Sequence, residues 1–295
     1  MTPTMPFYIF YSMFGFQRVN DQIWQAADAR ARGFLMGATA GRTTLNGEGL
    51  QHQDGHSLLH ASTVPYCRSW DPAYAYELAT IIRHGINEMW GENLDVFHYI
   101  MLYNQNEEQP AKPEGIDEEI IKGAYKIIKS KNNKNPLVRL LGSGPILSHV
   151  IEASEILSDY GINSEVWSVT SYGELRREGL ESQRTNRLYP EQEKSSYVSK
   201  CFGDEVTTIA VSDYIIAVPE MIQRWVGGNY VVLGTDGFGR SDDRSELRRF
   251  FEIDTESIVL ATISALEREG LVKTGLTEEI VTKFKISRKR IDKTN

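Results

Sequence analysis

The chain has 295 residues, of which 41% are hydrophobic and 24% charged, which is typical of a folded protein of one or two domains. Its net charge of −8 argues against nucleic acid as a partner, because phosphate-binding surfaces leave a basic footprint. No apolar run reaches the roughly 18 residues that a membrane span needs, and the start, MTPTMPFYIF, lacks the features of a signal peptide.

The two cysteines, Cys67 and Cys201, are too few to form a disulfide framework. We expect both thiols to be reduced and partly buried, as free cysteines usually are in cytosolic proteins. Since the sequence also shows neither a signal peptide nor a membrane span, these features together predict a cytoplasmic protein.

The first 32 residues predict a strand followed by a helix. Residues 6–11, PFYIFY, form a dense apolar run that we expect to be buried as a strand. Natural domains seldom open on such a strand, because it would present unpaired backbone and apolar surface. We therefore expect the chain to begin inside a domain. From residue 12 to about residue 32, apolar side chains recur at helical spacing.

Strands and helices continue to alternate beyond the first helix. Short strands are predicted at residues 34–36, 65–69 and 96–102, and a glycine-rich loop follows the first of them. Asp71, with a proline after it, is the predicted N-cap of a helix that ends near Gly91. This alternation is typical of a mostly parallel sheet covered by helices on both faces.

A polar segment separates this half from a second α/β unit. Residues 111–135 are predicted to be a linker between domains, because they are polar and contain a proline and a surface turn. The elements predicted beyond it are strands at residues 137–141, 164–169, 207–211 and 230–234, and helices after residue 145 and near Asp254 and Thr277. The predicted fold is therefore α/β, with one domain in residues 1–110 and a second, mostly parallel one in residues 136–295.

Residues 41–57, GRTTLNGEGLQHQDGHS, are the strongest candidate for a functional site. Six glycines lie between positions 33 and 55, about three times the density of the whole chain. Such a segment is either disordered or shaped around a ligand. It also contains Arg42, His52, His56 and carboxylates, and this mixture favours a site over a disordered linker.

Three interpretations of the loop histidines remain open. His52, His56 and His60 are four residues apart, as metal ligands on one helix face would be, but the glycines between them disfavour a helix. Either loop histidine could instead be packed and hydrogen-bonded as a structural residue. Acid/base catalysis fits best, because imidazole titrates near neutral pH and a glycine-rich loop can bring it to a substrate carbonyl. We predict no metal site on these residues.

Two further glycine-rich turns carry weak signals. GSGP at residues 142–145 lacks the spacing of a phosphate-binding loop, and its proline fits a helix start equally well. GTDGFGR at residues 234–240 resembles a magnesium-binding GDG motif only superficially, because no asparagine follows at the required distance. We predict a structural turn there.

The combined motifs resemble a known family. Four segments are similar to the pyruvate dehydrogenase E1 component of the homodimeric bacterial type: YSMFGFQR at residues 11–18, ARGFLMGATAGRTTLNGEGLQHQDGHS at 31–57, DPAYAYE at 71–77 and LGTDGFGRSD at 233–242. The resemblance covers essentially the whole chain and corresponds to roughly the last third of such an E1. It implies that residues 1–110 are the later half of a pyrimidine-binding domain and that residues 136–295 are a transketolase-like C-terminal domain.

The resemblance also implies thiamine diphosphate as cofactor and pyruvate as substrate. In this family the cofactor decarboxylates pyruvate, and the acetyl unit passes to a lipoyl group on the E2 acetyltransferase. Tyr11 and Phe14 match the residues that flank the aminopyrimidine, although plain core packing is the alternative. His52 matches the histidine that faces the substrate, and His56 lies near a substrate-contacting histidine of the transketolase relatives.

The sequence departs from the family pattern at the loop and in what it lacks. Gln53 and Ala40 stand where a glutamate and a small hydroxylic residue are expected. The diphosphate domain with its magnesium-binding motif, and the glutamate that protonates the pyrimidine, are not in this sequence. We therefore expect the isolated chain to be inactive, and we expect it to act as a homodimer or with a separate N-terminal E1 polypeptide that holds Mg²⁺.

Two alternatives to this interpretation remain open. One is another thiamine enzyme of the transketolase group that acts on sugar phosphates, although the C-terminal half carries no histidine beyond His149 for a phosphate site. The other is a non-catalytic module that supports only dimerisation or complex assembly. Mixing the chain with a separate N-terminal E1 portion discriminates, because restored activity supports a split enzyme and a stable dimer without activity supports the assembly module.

Overall fold

Four short apolar segments form a parallel sheet in the computed structural model, which describes residues 4–130 and 136–289. In their order across the sheet, the strands are β1 (Phe7–Tyr11), β2 (Phe34–Ala38), β4 (Phe97–Met101) and β3 (Cys67–Trp70). All five residues of β4 are buried, as expected of an inner strand that is covered on both faces. The three strands predicted between residues 34 and 102 are therefore confirmed.

Helices connect these parallel strands. They are α1 (Ser12–Asp28), α2 (Ser57–Ala61) and α3 (Ala75–Ile86), and a wide turn at Asn87–Gly91 prolongs the last of them. The helix predicted from residue 12 is confirmed and ends at Asp28, four residues earlier than expected. In the part of the chain that the structure describes, no helix combines the length and the apolar character that crossing a membrane requires.

The predicted N-cap at Asp71 is wrong. The helix begins four residues later, and a carboxylate oxygen of Glu77 accepts hydrogen bonds from the backbone N–H groups of Ala73 (2.5 Å) and Tyr74 (3.1 Å) at its start. Asp71 is instead buried, and its carboxylate accepts a hydrogen bond from the Tyr103 hydroxyl. Burial raises the pKa of Asp71 to about 7, because desolvation outweighs its hydrogen bonds.

The apolar run at residues 6–11 forms the expected strand but is not buried as predicted. β1 lies at the edge of the sheet, so only one of its sides pairs with a strand in the described part of the chain. The side chains of Tyr8 and Ile9 are 64% and 65% exposed. The first sheet thus presents an apolar edge to the solvent.

The C-terminal half forms a second, five-stranded sheet. Its strands, in order across the sheet, are β5 (Ala124–Ile128), β7 (Asn163–Val169), β6 (Leu137–Gly142), β8 (Thr208–Val211) and β9 (Tyr230–Leu233). Only the β5–β7 pair is antiparallel. The helices are α4 (Asp117–Lys122), α5 (Leu147–Asp159), α6 (Tyr172–Leu188), α7 (Tyr197–Phe202), α8 (Arg244–Phe251), α9 (Thr255–Arg268) and α10 (Leu276–Lys283). This arrangement confirms the predicted α/β fold with mostly parallel sheets.

The segment predicted as a linker, residues 111–135, is only partly irregular. It contains α4 and β5, and β5 belongs to the second sheet. Polar composition concealed α4 (DEEIIK), which buries only Ile120, whereas β5 (AYKII) is a short strand at the edge of its sheet beside this polar stretch. The last five residues of the predicted linker, 131–135, lie outside the described residues.

Both cysteines are free thiols, as predicted. Cys67 is buried in β3 and Cys201 is half-buried in α7. Burial raises the pKa of both thiols, so that neither forms an appreciable thiolate at neutral pH.

The two halves meet through buried polar contacts as well as apolar packing. The N–H of Asp71, directly after β3, donates to the carbonyl of Thr170, directly after β7, at 2.8 Å. Arg68 in β3 forms an ion pair with Glu174 in α6 at 2.7 Å. These contacts bring the carboxyl ends of both sheets together, which is the edge where α/β folds usually carry their sites.

Candidate active site

The glycine-rich segment at residues 41–57 is an ordered loop at the carboxyl end of β2. Arg42, Thr43 and Thr44 are buried. The loop then passes through a single 3-10 turn, Leu50–His52, and ends in α2. Since it is neither helical over its length nor exposed throughout, the alternatives of a metal-binding helix and a disordered linker do not describe it.

A buried carboxylate from the second half holds the start of this loop. Asp213 lies two residues beyond β8, and its Oδ1 accepts the backbone N–H (2.8 Å) and hydroxyl (2.7 Å) of Thr43. Its Oδ2 accepts the N–H (3.0 Å) and hydroxyl (2.6 Å) of Thr44. Gly41 has a φ of +91°, and a Cβ there would lie 2.2 Å from Asp213 Oδ2, so the close approach requires glycine.

The electrostatics of Asp213 reflect opposing effects. Burial raises the pKa of its carboxyl group, while the hydrogen bonds from the two threonines and the charge of Arg248 act in the opposite direction. Four donors around one buried carboxylate leave little room for an alternative arrangement. The position of the loop therefore depends on a residue of the other half of the molecule.

Gln53 fixes the middle of the loop to the turn at residues 234–240. Its side-chain amide donates to the carbonyls of Leu45 (2.8 Å) and Arg240 (2.9 Å), and its Oε1 accepts the N–H of Arg240 (2.7 Å). A carboxylate could not donate to the two carbonyls, so glutamine suits this arrangement. The turn at residues 234–240, which we predicted to be structural, therefore contacts the loop at residues 41–57.

Two arginines of α8 contact the loop from outside. Arg244 Nε donates to the carbonyl of Thr44 at 2.6 Å. Arg248 donates to the side chain of Gln105 at 2.6 Å and to the hydroxyl of Thr44 at 3.3 Å, and its other Nη contacts His149 Nε2 at 2.9 Å. Like Asp213, these side chains come from the C-terminal half.

Three aromatic rings form a cluster where the loop passes the start of α1. The ring centroid of His52 lies 5.3 Å from that of Tyr11 and 4.9 Å from that of Phe14, and the last two are 5.8 Å apart. The guanidinium of Arg18 lies over the Phe14 ring at 4.3 Å. We call Tyr11, Phe14 and His52 the aromatic cluster.

The hydrogen bonds of His52 orient its ring. Its Nδ1 lies 3.2 Å from the carbonyl of Gly49 and 3.7 Å from a carboxylate oxygen of Glu48. Because both neighbours are acceptors, Nδ1 carries the hydrogen, and Nε2 is left as the basic atom. The Tyr11 hydroxyl reaches the same Glu48 carboxylate at 3.5 Å. The side chain of His52 is 22% exposed.

His56 has a different set of neighbours. Its Nε2 lies 2.7 Å from the Gln17 side-chain oxygen, and its ring packs edge-on against His60 at 5.0 Å. Burial lowers the pKa of His56, and the charge of Arg42 lowers it further against the effect of Asp54. The ring is therefore neutral at pH 7, with the hydrogen on Nε2.

Asp54 fixes the position of His56. Its Oδ1 accepts the backbone N–H groups of His56 (3.1 Å) and Ser57 (3.0 Å), and its Oδ2 accepts the Ser57 hydroxyl. This arrangement is that of a capping carboxylate at the first turn of α2. The Ser57 hydroxyl in turn accepts a hydrogen bond from buried Tyr99 at 3.0 Å.

Comparisons with known proteins identify the family. A family model described as pyruvate dehydrogenase E1 component middle domain matches residues 1–110, and one described as transketolase-like C-terminal domain matches residues 123–254. The curated pyruvate dehydrogenase E1 components of Pseudomonas aeruginosa and Escherichia coli K12 are 54% and 47% identical to this chain, over 96% and 98% of its length. The chain belongs to the pyruvate dehydrogenase E1 family. It spans 33% of the length of each of these two E1 relatives.

Solved structures with the same fold include transketolases. The transketolase from Leishmania mexicana superimposes with a TM-score of 0.68 at 18% identity, over 90% of this chain and 34% of the other. A structure titled as a split gene transketolase, inactive beta4 tetramer, superimposes with a TM-score of 0.61 at 15% identity, over 90% of this chain and 77% of the other. At these identities the likeness concerns the fold alone.

Three of the four predicted site residues come together. The aromatic cluster unites Tyr11, Phe14 and His52, whereas His56 contacts Gln17 and His60 instead. Both histidines belong to the same short loop, so the structure places them on two neighbouring parts of one surface. The roles assigned to these four residues in an E1 remain predictions.

The residues fit one part of thiamine diphosphate. Exposed Tyr11 and part-buried Phe14 offer aromatic faces against which a flat heteroaromatic ring can pack. Within residues 4–130 and 136–289, no group of three or more His, Cys, Asp or Glu side chains could hold a metal ion. The aromatic faces of Tyr11 and Phe14 therefore suit the pyrimidine, whereas no ligand set for Mg²⁺ lies in the described residues.

Sequence reasoning missed the residues that position the loop. Asp213 and Arg248 hold it from positions some 170 to 200 residues away in the chain. Asp213 did carry one usable signal, because it lies two residues beyond the predicted strand at residues 207–211, and parallel strands gather their carboxyl ends at one edge. Arg248 carried no such signal, since α8 was not predicted.

Proposed function

We propose that this chain supplies one wall of a thiamine diphosphate site in a pyruvate dehydrogenase E1 that decarboxylates pyruvate. The observation that carries the proposal is the aromatic cluster, in which the His52 ring lies within 5.3 Å of both Tyr11 and Phe14, beside a loop fixed by buried hydrogen bonds. The E1 relatives support this function, and they give no support to a sugar-phosphate enzyme or to a non-catalytic module.

Each residue of the aromatic cluster has a proposed role. Thiamine diphosphate, when bound, supplies the carbon nucleophile that attacks the substrate carbonyl. Tyr11 and Phe14 hold the aminopyrimidine by packing against its faces. His52 exchanges a proton at Nε2 with the carbonyl oxygen of the substrate, while its Nδ1 hydrogen bond to Gly49 keeps the ring oriented.

His56 is proposed as a second substrate contact. Because the pKa of His56 is lowered, its ring is neutral at pH 7 and can donate one hydrogen bond without a fixed positive charge. Gln17 accepts that hydrogen bond in this structure, at 2.7 Å. A substrate oxygen near the loop would compete with Gln17 for the same hydrogen.

The other wall of the site is proposed to come from a separate portion of an E1, in a homodimer or as an N-terminal E1 polypeptide. That portion would bind the diphosphate and Mg²⁺. The E2 lipoyl domain would accept the acetyl group, and the assembly would act in the cytoplasm. Within this proposal, residues 1–110 are the later half of the pyrimidine-binding domain, residues 111–135 link the domains, and residues 136–295 are the transketolase-like domain.

A reconstitution experiment tests this function. The chain is assayed for pyruvate-dependent reduction of an artificial electron acceptor with thiamine diphosphate and Mg²⁺, alone and after mixing with the N-terminal two thirds of the Pseudomonas aeruginosa relative. We expect no turnover by the chain alone and measurable turnover by the mixture. In the mixture, His52→Ala should lower kcat by about 100-fold or more, whereas His84→Gln on α3 should leave kcat within about twofold.

Two results would overturn the proposal. Turnover by the chain alone would show that it holds a complete site. A mixture that assembles into a stable complex without any turnover would instead support the non-catalytic assembly module.

A further inference from the structure

An arginine-rich cleft lies between the two halves of the molecule, apart from the loop at residues 41–57. It has a volume of about 830 Å³ and is bordered by β3, α6 and the 3-10 turn Pro219–Trp225. Its arginines are Arg68, Arg176, Arg177, Arg184, Arg187 and Arg224, and its glutamates are Glu174, Glu178 and Glu181. This excess of positive charge is notable in a chain whose net charge is −8.

The glutamates of the cleft neutralise only part of this charge. Glu174 forms ion pairs with Arg68 at 2.7 Å and with Arg177 at 3.1 Å, and Arg68 has a second partner in Glu88 at 3.0 Å. The carboxylate of Glu178 accepts the backbone N–H of Tyr197, at the start of α7. These contacts hold Arg68 and Arg177 in place and engage Glu174 and Glu178 within the protein.

The remaining four arginines are less constrained. Arg184 lies 3.6 Å from Glu181, and both side chains are more than half exposed, so this pair is weak. Arg224 contacts the side chain of Gln183 at 3.3 Å. Arg176 and Arg187 are exposed and form no ion pair in the described part of the chain.

The helix geometry of α6 places three of these arginines in one stripe. At 100° per residue, Arg184 and Arg187 lie about 80° and 20° around the helix axis from Arg176. The stripe is about 16 Å long at 1.5 Å per residue. Arg224 borders the same cleft from the 3-10 turn. A ligand that satisfies this arrangement must carry several negative groups in a row.

We propose that the cleft binds a small molecule that carries a chain of phosphoryl groups. Guanidinium groups bind phosphoryl oxygens through paired, charge-assisted hydrogen bonds. The volume falls within the range of about 300 to 1,000 Å³ that is typical of small-molecule sites. The lining residues are mostly charged or polar, and Leu180 is the main apolar side chain among them. We therefore expect charge to dominate recognition of the ligand. No residue of the loop at residues 41–57 lines the cleft, so this proposal stands apart from the proposed function.

Calorimetric titration of the whole chain with inorganic tripolyphosphate tests the proposal. The double variant Arg176→Gln/Arg187→Gln removes two exposed arginines of the cleft. The matched control, Arg30→Gln/Arg249→Gln, removes two arginines that are 76% and 66% exposed elsewhere. We expect tripolyphosphate to bind the wild type, and we expect the cleft variant to bind about tenfold or more weakly. The control should stay within about twofold. A second pair, Arg184→Gln/Arg224→Gln, should weaken binding likewise.

Three outcomes would overturn the proposal. The first is no binding of tripolyphosphate by the wild type at low salt. The second is equal weakening in the cleft variants and the control, which would indicate attraction by net charge alone. The third is tighter binding of a polyglutamate peptide than of tripolyphosphate through the same arginines, which would identify a surface for acidic proteins.

Discussion

At the scale of single residues, the candidate site depends on side chains that carry no proton to the substrate. Asp213 holds two consecutive threonines through four hydrogen bonds, and Gln53 makes three hydrogen bonds in the middle of the same loop. A loop that ends in an acid/base group must be held to within a fraction of an ångström if the group is to meet its substrate. These contacts supply that precision for His52, which directly precedes Gln53. The backbone N–H of His52 also donates to the carbonyl of Gly49 in the same turn.

The first prediction concerns Asp213→Asn. The amide keeps the shape of the carboxylate but places an NH₂ group against the N–H and hydroxyl of a threonine. We expect a loss of about 2 to 4 kcal/mol in the free energy of unfolding, because a buried set of donors loses its acceptor. Chemical denaturation measures this change in the free energy of unfolding. Asp242→Asn, at an exposed position of the turn after β9, removes the same charge and should change stability by less than about 0.5 kcal/mol. Equal effects of the two variants would contradict this account.

Sequence reasoning found Tyr11 and Phe14 through the resemblance to the E1 family, and it found His52 through the unusual glycine content of its loop as well. Asp213 and Gln53 act through long-range contacts whose partners a sequence does not reveal. The pattern could predict which segment is functional, whereas the groups that hold the segment depend on how the two sheets meet.

At the scale of elements, β1 is an edge strand with an exposed apolar surface. Its apolar side chains Phe7, Tyr8 and Ile9 are exposed, and its outer edge pairs with no strand in the described residues. β1 also ends at Tyr11, which belongs to the aromatic cluster. A second portion of an E1 that covers this edge would at the same time approach the candidate site.

The second prediction concerns this edge. Ile9→Lys places a charge on the exposed face of β1, where Ile9 is 65% exposed. We expect thermal stability of the chain to change little, and we expect affinity for the N-terminal portion of an E1 to fall by about tenfold or more. Sedimentation or calorimetric titration measures the affinity. Leu271→Lys, at an exposed position of the C-terminal half, is the control and should not weaken association.

The junction of α5, α8 and α9 contains a histidine with a strongly shifted pKa. His149 in α5 contacts the hydroxyl of Thr255 at 2.9 Å and the guanidinium of Arg248 at 2.9 Å. Burial, reinforced by the charge of Arg248, lowers the pKa of His149 to about 4. Its ring is therefore neutral in the folded protein at pH 5, where an unfolded histidine is charged.

The third prediction follows from this pKa. Between about pH 6.5 and pH 4 the unfolded chain binds a proton at His149 that the folded chain does not, so stability falls as pH falls. From pH 7 to pH 5 this contribution amounts to about 2 kcal/mol. Urea unfolding of wild type and His149→Gln at both pH values measures it. The stability of the wild type relative to the variant should decrease at pH 5, and an unchanged difference would contradict the prediction.

The elements that sequence predicted are those with apolar runs or helical periodicity. Strands β2, β4, β6 and β7 and the helices α1, α5 and α9 belong to this group. Among the elements missed, α6 (YGELRREGLESQRTNRL) is polar and buries only Tyr172, Leu175, Gly179 and Ser182, so its sequence shows no clear apolar stripe. Tertiary contacts stabilise such a helix, and these contacts are not visible in a sequence.

At the scale of the whole molecule, the loop at residues 41–57 lies where the two sheets meet and is held by residues of both halves. The first sheet carries Tyr11, Phe14 and His52 at its carboxyl edge, and the second sheet supplies the groups that hold the loop. The chain nevertheless spans only a third of the length of its E1 relatives. The central claim is that this chain carries the pyrimidine-facing wall of a site whose diphosphate-binding wall lies on another portion.

Binding of thiamine diphosphate tests that claim most directly. Calorimetric titration with thiamine diphosphate and Mg²⁺ compares the chain alone with the chain mixed with the N-terminal portion of an E1. Both samples carry Arg176→Gln/Arg187→Gln, so that the arginine-rich cleft does not contribute to binding. The account predicts no binding tighter than about 1 mM for the chain alone and binding at least about 100-fold tighter for the mixture. Tyr11→Ala/Phe14→Ala should weaken binding by the mixture by about tenfold or more. Micromolar binding of thiamine diphosphate by the chain alone would contradict the account. So would a mixture whose affinity for thiamine diphosphate is unchanged by Tyr11→Ala/Phe14→Ala.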